Sequence, residues 1–200
     1  AQYLVHKEGD RACRAADQLL LSVLAVSGIL VVVSLIGNYG ILRIIYRKID
    51  ADVMGNARIY FYLSAVSYPF LAVYSAGTAL FRAMGDSKIS MKTSIVMNAI
   101  NIAGNAVLLY IFELGVFGAA LATLVSRIVA AVVVTKLLVD QKRQIHLHPK
   151  LKLGFYPEMI RRILRIGIPN GLEISIFQIG KLMVAGLVSG FGTTAITANA

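Results

Sequence analysis

The chain has 200 residues, of which 58% are apolar and 15% charged, with a formal net charge of +10 and a single cysteine. That balance excludes an ordinary soluble domain, in which about a quarter of the residues are charged, and one cysteine excludes a disulfide framework. The mean hydropathy of +0.73 points to a membrane protein.

The apolar residues are gathered into five runs of 18 to 26 residues: 19–36, 59–81, 94–112, 115–135 and 166–191. A helix rises about 1.5 Å per residue and needs roughly 20 residues to cross about 30 Å of hydrocarbon, so each run is long enough. Strands of a membrane barrel would be about half as long and would alternate in polarity, which these runs do not. The expected fold class is all-α, a polytopic membrane helical bundle with about five crossings.

The first run follows the polar lead "HKEGDRACRAADQ", where Gly9 and Asp10 mark a helix start at the membrane surface. It is expected to end around Gly37, Asn38 and Gly40, leaving an amphipathic "ILRIIYRKID" at the outer interface with Tyr46 as an anchor. The second run opens on Arg58 and the Tyr60, Phe61, Tyr62 cluster. Pro69 in its middle removes a backbone donor and predicts a kink. A short turn, "FRAMGDSKIS", follows, in which Asp86 or Ser87 can cap the next helix by accepting its free N–H groups.

The third run carries Ser94, Asn98, Asn101 and Asn105, and the fourth Gly118, Thr123, Ser126 and Arg127. The link between them, "FELGVFG", is long enough only for a hairpin of two antiparallel helices. Residues 140–165 are polar, contain Pro149 and Pro157 and the amphipathic "PEMIRRILR", and read as a linker between two halves. The fifth run opens with "IGIPNGLE", where Pro169 suits a first helical turn.

The position of the basic residues matters more than their sum. Segments 1–18, 82–92 and 136–165 fall on one side of a five-crossing chain and hold 14 Lys and Arg, against four in the opposite connections. The positive-inside rule puts those three segments in the cytoplasm, so the basic balance is topology and not a nucleic-acid surface. Cys13, His6, His146 and His148 lie in these segments and form no metal cluster by spacing; at His146 and His148, two residues apart in a connecting loop, solvated side chains are expected rather than a metal site. Residues 1–18 do not read as a signal peptide, and the chain reads as an internal fragment.

Polar groups inside the runs are the informative ones, because hydrocarbon offers them no partners. Ser94, Asn98, Asn101 and Asn105 are spaced four, three and four apart, one stripe on one helix face. Two uses are open to it: amides that hold neighbouring helices together, or oxygens that coordinate a small cation or a substrate. Arg127, mid-run, must reach an acceptor, a cavity or the interface. Glu173 and Lys181 are separated by about 12 Å of helix rise, with Phe177 between them on the same face, so a mutual salt bridge is not expected. Each either meets a partner elsewhere or, at the membrane edge, reaches water. Gln178 is a further intramembrane polar candidate. No phosphate loop, nucleophile elbow, paired histidine or aspartate dyad is present, which argues against an enzyme and leaves no cofactor to bind.

The stretch "FRAMGDSKISMKTSIVMNAINIAGNAVLLYIFELGVFGAALATLVSR" resembles the multidrug and toxic compound extrusion (MATE) family across its fourth to sixth helices. "AQYLVHKEGDRACRAADQ" resembles the loop after helix two, "IGIPNGLE" the opening of helix seven, and "FGTTAITANA" the turn into helix eight. The resemblance implies a fold of twelve helices in two lobes of six, of which this chain would hold helices three to seven. Residues 1–139 would be most of the first lobe, 140–165 the basic cytoplasmic linker, and 166–200 the start of the second lobe.

The resemblance also implies a secondary active exporter of cationic or amphipathic organic compounds, working by sodium or proton antiport through alternating access in the plasma membrane. Its partners would be small organic cations or drugs, membrane lipid and the remaining helices of the full-length protein, with no nucleic acid. In some members a cation site is built from an Asp on helix one, an Asn and an Asp one turn apart on helix five, and a Thr on helix six. The last three correspond here to Asn101, Asn105 and Thr123, with Asn98 lining the same cavity, so sodium is the expected metal at that site. Asn105 stands where the family pattern has Asp, which leaves neutral ligands and no proton-binding carboxylate. The alternatives are a flippase for lipid-linked precursors from the same superfamily, which would use Arg127 and Lys181, and a non-transporting membrane assembly subunit.

Overall fold

The computed structural model describes residues 9–45, 51–140 and 157–189. Five α-helices account for almost all of them: α1 (Gly9–Ile45), α2 (Ala51–Ala83), α3 (Ser87–Ala106), α4 (Gly115–Val139) and α5 (Pro157–Ser189). α3 passes into a π-helical turn, Val107–Ile111, before the hairpin that leads to α4. By contacts the chain divides into two units, residues 1–155 with α1 to α4 and residues 156–200 with α5.

Four helical stretches are long and apolar enough to cross a membrane: Ala12–Gly37, Gly55–Ala83, Ser87–Ile111 and Gly115–Val139. They correspond to the first four apolar runs. α5 is not among them, and the end of the fifth run, 190–191, lies outside the described residues. The membrane-crossing part of α1 ends at Gly37, where the sequence places it, while the helix itself continues to Ile45. A glycine costs a helix about 1 kcal/mol relative to alanine, which does not end a helix with apolar flanks on both sides. The linker residues 141–156 lie outside the described residues, and "PEMIRRILR" forms the first turns of α5.

In the first unit α2 is the centre, packed against α1, α3 and α4, while the backbones of α1 and α4 do not come within 8 Å of each other. At one end Ala12, Cys13, Ala16 and Leu20 of α1 close with Ala76 and Phe81 of α2 and with Val134 and Leu138 of α4 into a core. Phe81 is its largest fully buried side chain. α4 contributes a row at every fourth residue, Gly118, Ala122, Ser126, Ala130, Val134 and Leu138, all buried. Small residues on such a row let backbones approach closely, which is how helices associate where lipid removes the hydrophobic drive between them. The row meets α3 at its start, where a Cβ on Gly104 would stand 3.1 Å from the Ala122 Cβ. It meets α2 at its end, where a Cβ on Gly77 would overlap the Val134 side chain.

The turns are built as the sequence predicts. α2 stops in a Schellman motif, with Asp86 N–H donating to the Phe81 carbonyl at 2.9 Å, Gly85 N–H to that of Arg82 at 3.0 Å, and Gly85 at φ +83°. Asp86 is also the N-cap of α3, accepting from Ile89 N–H at 3.4 Å. Pro69 lies inside α2 without breaking it. Outward faces are apolar, with Ile29, Ile36, Ile102 and Tyr110 among the exposed side chains, as expected of surfaces that meet lipid or other helices.

Candidate cation and cavity site

The α3–α4 hairpin turns at Phe112 to Leu114, with Glu113 at φ +52° and Gly115 at φ +53°. Gly118 fits under the π turn, where a Cβ would meet Leu108 at 3.1 Å, so the two helices leave the turn in close contact. That proximity lets polar side chains bond across the seam. The Asn101 amide donates from α3 to Thr123 Oγ1 at 3.3 Å and, more weakly, to Ser126 Oγ at 3.5 Å. One turn further along, Asn105 Nδ2 donates to Asn101 Oδ1 at 3.1 Å.

The hydroxyl protons point elsewhere. Thr123 Oγ1 donates to the Ala119 carbonyl at 3.0 Å and Ser126 Oγ to that of Thr123 at 2.9 Å, so both oxygens face Asn101 as acceptors. Asn105 Oδ1 is inaccessible to solvent and accepts no hydrogen bond among the described residues. The cluster thus gathers two amides and two hydroxyls, all neutral. Its oxygens are the donor type that hard cations prefer, and none of its groups exchanges a proton near neutral pH.

The asparagine stripe divides. Asn101 and Asn105 turn into the seam, whereas Asn98 is exposed and makes no hydrogen bond among the described residues. Interhelical glue, one of the two uses open to the stripe, is therefore present at Asn101. Arg127 faces the other way, toward α2, where Nη1 donates to Ser67 Oγ, and Ser67 in turn donates to the Ser64 carbonyl at 2.6 Å. Among the described residues the guanidinium meets a hydroxyl and not a carboxylate.

On α5, Glu173, Gln178 and Lys181 are exposed, and Lys181 Nζ lies 4.9 Å from the centre of the Phe177 ring. The cation–π contact is with the residue the helical spacing places between Glu173 and Lys181.

Sequence reasoning missed Ser126 and Ser67 as partners. Ser126 stands three residues from Thr123 and so on the same face of α4, a signal that was available. Nothing in the sequence pairs Ser67 with Arg127, 60 residues away. Asp17 and Gln18, read as part of the polar lead, are 3% and 1% exposed inside the helix bundle. No group of three or more His, Cys, Asp and Glu side chains that could hold a metal ion occurs among the described residues, and His6, His146 and His148 lie outside these.

Long apolar helices joined by tight turns around a polar, neutral seam define an integral membrane protein. Residues 1–107 match the MatE family model, and the chain belongs to that family, multidrug and toxic compound extrusion. Its members are transporters and not enzymes. The chain is 32% identical over 148 residues to the probable multidrug resistance protein YoeA of Bacillus subtilis (strain 168), covering 71% of this chain and 31% of that protein. Over 154 residues it is 27% identical to the probable multidrug resistance protein NorM of Thermotoga maritima, covering 72% of this chain and 32% of that protein. The chain therefore spans about a third of the length of these relatives.

The fold is that of solved MATE structures. An outward-facing multidrug resistance MATE transporter of the MOP superfamily superposes with a TM-score of 0.81 at 20% identity, over 90% of this chain and 40% of that one. A MATE protein in the bent conformation gives 0.79 at 18% identity, over 96% and 46%. The chain is accordingly a partial MATE fold, all-helical in its described residues.

Proposed function

We propose that this chain is part of a secondary active exporter of the plasma membrane that expels cationic or amphipathic organic compounds. Inward movement of a small cation drives the export through alternating access. The observation that carries the reading is the neutral Asn101, Asn105, Thr123 and Ser126 cluster, half-buried in the α3–α4 seam of a chain whose relatives include proteins named for multidrug resistance.

Sodium is the coupling ion this cluster supports. Asn105 Oδ1 already lacks a donor, Thr123 and Ser126 direct lone pairs inward, and rotating the Asn101 amide would exchange its donor for an oxygen. A proton has no carboxylate to ride on among these four residues. Helices of the full-length protein supply the remaining ligands and the opposite wall of the cavity. The basic segments 1–18, 82–92 and 136–165 face the cytoplasm.

The test is efflux of a fluorescent organic cation from vesicles containing the full-length protein, with sodium and proton gradients imposed separately. Export that follows the sodium gradient supports the reading, and export that persists with neither gradient overturns it. If anionic lipid-linked precursors move and organic cations do not, the protein is a flippase instead.

A further inference from the structure

The backbones of α1 and α4 both pack on α2 but stay more than 8 Å from each other among the described residues, which leaves an open groove of about 490 Å³ over one face of α2. Its floor is Pro69, Phe70 and Val73, and its walls are Leu24 of α1 and Val132 and Val139 of α4. Almost the whole lining is apolar, and the volume falls in the range of about 300–1,000 Å³ typical of small-molecule sites. Two polar side chains stand at one end, Thr135 and Lys136 in the last turns of α4.

Lys136 is exposed and makes no ion pair or hydrogen bond among the described residues. It lies at the basic end of the bundle, the end that also carries Arg14, Arg82, Lys88 and Lys92. An apolar helix laid over this groove would leave the ammonium at the cytoplasmic interface without an anionic partner. An acyl chain fills the apolar length as well as a helix would, and a phosphate above it meets the cation. Basic pockets between membrane helices on the cytoplasmic side recognise anionic head groups in this manner.

The geometry points to the α1–α2–α4 groove as a binding site for one anionic phospholipid of the cytoplasmic leaflet. Its acyl chain lies against Pro69, Phe70 and Val132, and its phosphate sits at Lys136. The site is separate from the asparagine cluster, which lies on the α3 side of α4, and it stands whichever ion drives transport.

The test uses the full-length protein equilibrated with phosphatidylglycerol and phosphatidylcholine and analysed by native mass spectrometry. The parent protein retains phosphatidylglycerol in preference. Lys136→Gln lowers that preference about five-fold, the equilibrium equivalent of the roughly 1 kcal/mol that one basic residue contributes beside an anionic surface. Val132→Trp, which fills the groove, reduces retention of both lipids. Equal retention by the parent, or a preference that Lys136→Gln leaves unchanged, overturns the assignment. A Val132→Cys variant distinguishes the rival occupant without depending on lipid retention. Reaction with a membrane-soluble maleimide supports an open groove, and protection in folded protein shows that another helix covers it and overturns the assignment.

Discussion

The Asn101 amide reaches across from α3 to Thr123 Oγ1 on α4, 3.3 Å away, and joins residues 22 apart in the sequence. The bond exists because Gly104 and Gly118 bring the two helices close enough for so short a side chain to span the gap. Asn101→Ala removes the donor to Thr123 and Ser126 and the acceptor for Asn105. Interhelical hydrogen bonds in membranes average about 0.6 kcal/mol, so the folded protein should melt only slightly lower. Ion-coupled efflux should be lost. A thermal melt of purified full-length protein beside an efflux assay checks both halves.

Asn105→Asp introduces a titratable group into the neutral cluster. The new side chain is neutral and carries a proton when protonated, and is charged and attracts a cation when ionised. The parent's sodium-driven efflux should depend weakly on pH through this site. The variant's should rise with pH, and a proton gradient should begin to drive it. Initial efflux rates measured across a pH series, with and without sodium, separate the two.

Arg127 and Ser67 should respond unequally. Ser67→Ala leaves the guanidinium without its hydroxyl, and a charge at membrane depth costs about 2.5–3.5 kcal/mol on insertion scales, so this variant should be clearly destabilised. Arg127→Met removes the charge with little change of length and should match or exceed the parent's stability. Melting temperatures in one detergent give the order Arg127→Met, then parent, then Ser67→Ala.

At Gly77 α2 packs tightly against α4, and an added Cβ would overlap Val134. Gly77→Ala should cost about 1–3 kcal/mol, as overpacking of a filled core does, and Gly77→Leu should prevent assembly of the α2–α4 pair. Gly28→Ala, at a position with open space around it, should be close to neutral. Yields of monodisperse protein for the three variants test the ranking.

Several features were legible before any coordinates. Hydropathy runs located the four spanning helices, because a stretch of about 20 apolar residues has no other stable use in so short a chain. The Gly85–Asp86 turn was readable because its cause is local: a glycine with φ +83° and a carboxylate three residues before the N–H it caps. The hairpin followed from the shortness of "FELGVFG". The end of the first membrane-crossing stretch at Gly37 was legible too, although α1 stays helical beyond it to Ile45, since a glycine is only a weak local preference against helix.

Which polar groups meet was decided by the tertiary structure. Spacing placed Asn98, Asn101 and Asn105 on one stripe, yet only the last two enter the seam. Nothing short of the packed helices paired Arg127 with Ser67 or opened the groove over Pro69. The sequence by itself determined the helices, their turns and the charge bias, because each arises within a few turns of chain or from transfer to lipid. The partners across helices depend on how far each helix is rotated about its axis, and the buried row from Gly118 to Leu138 sets that rotation only once the helices touch.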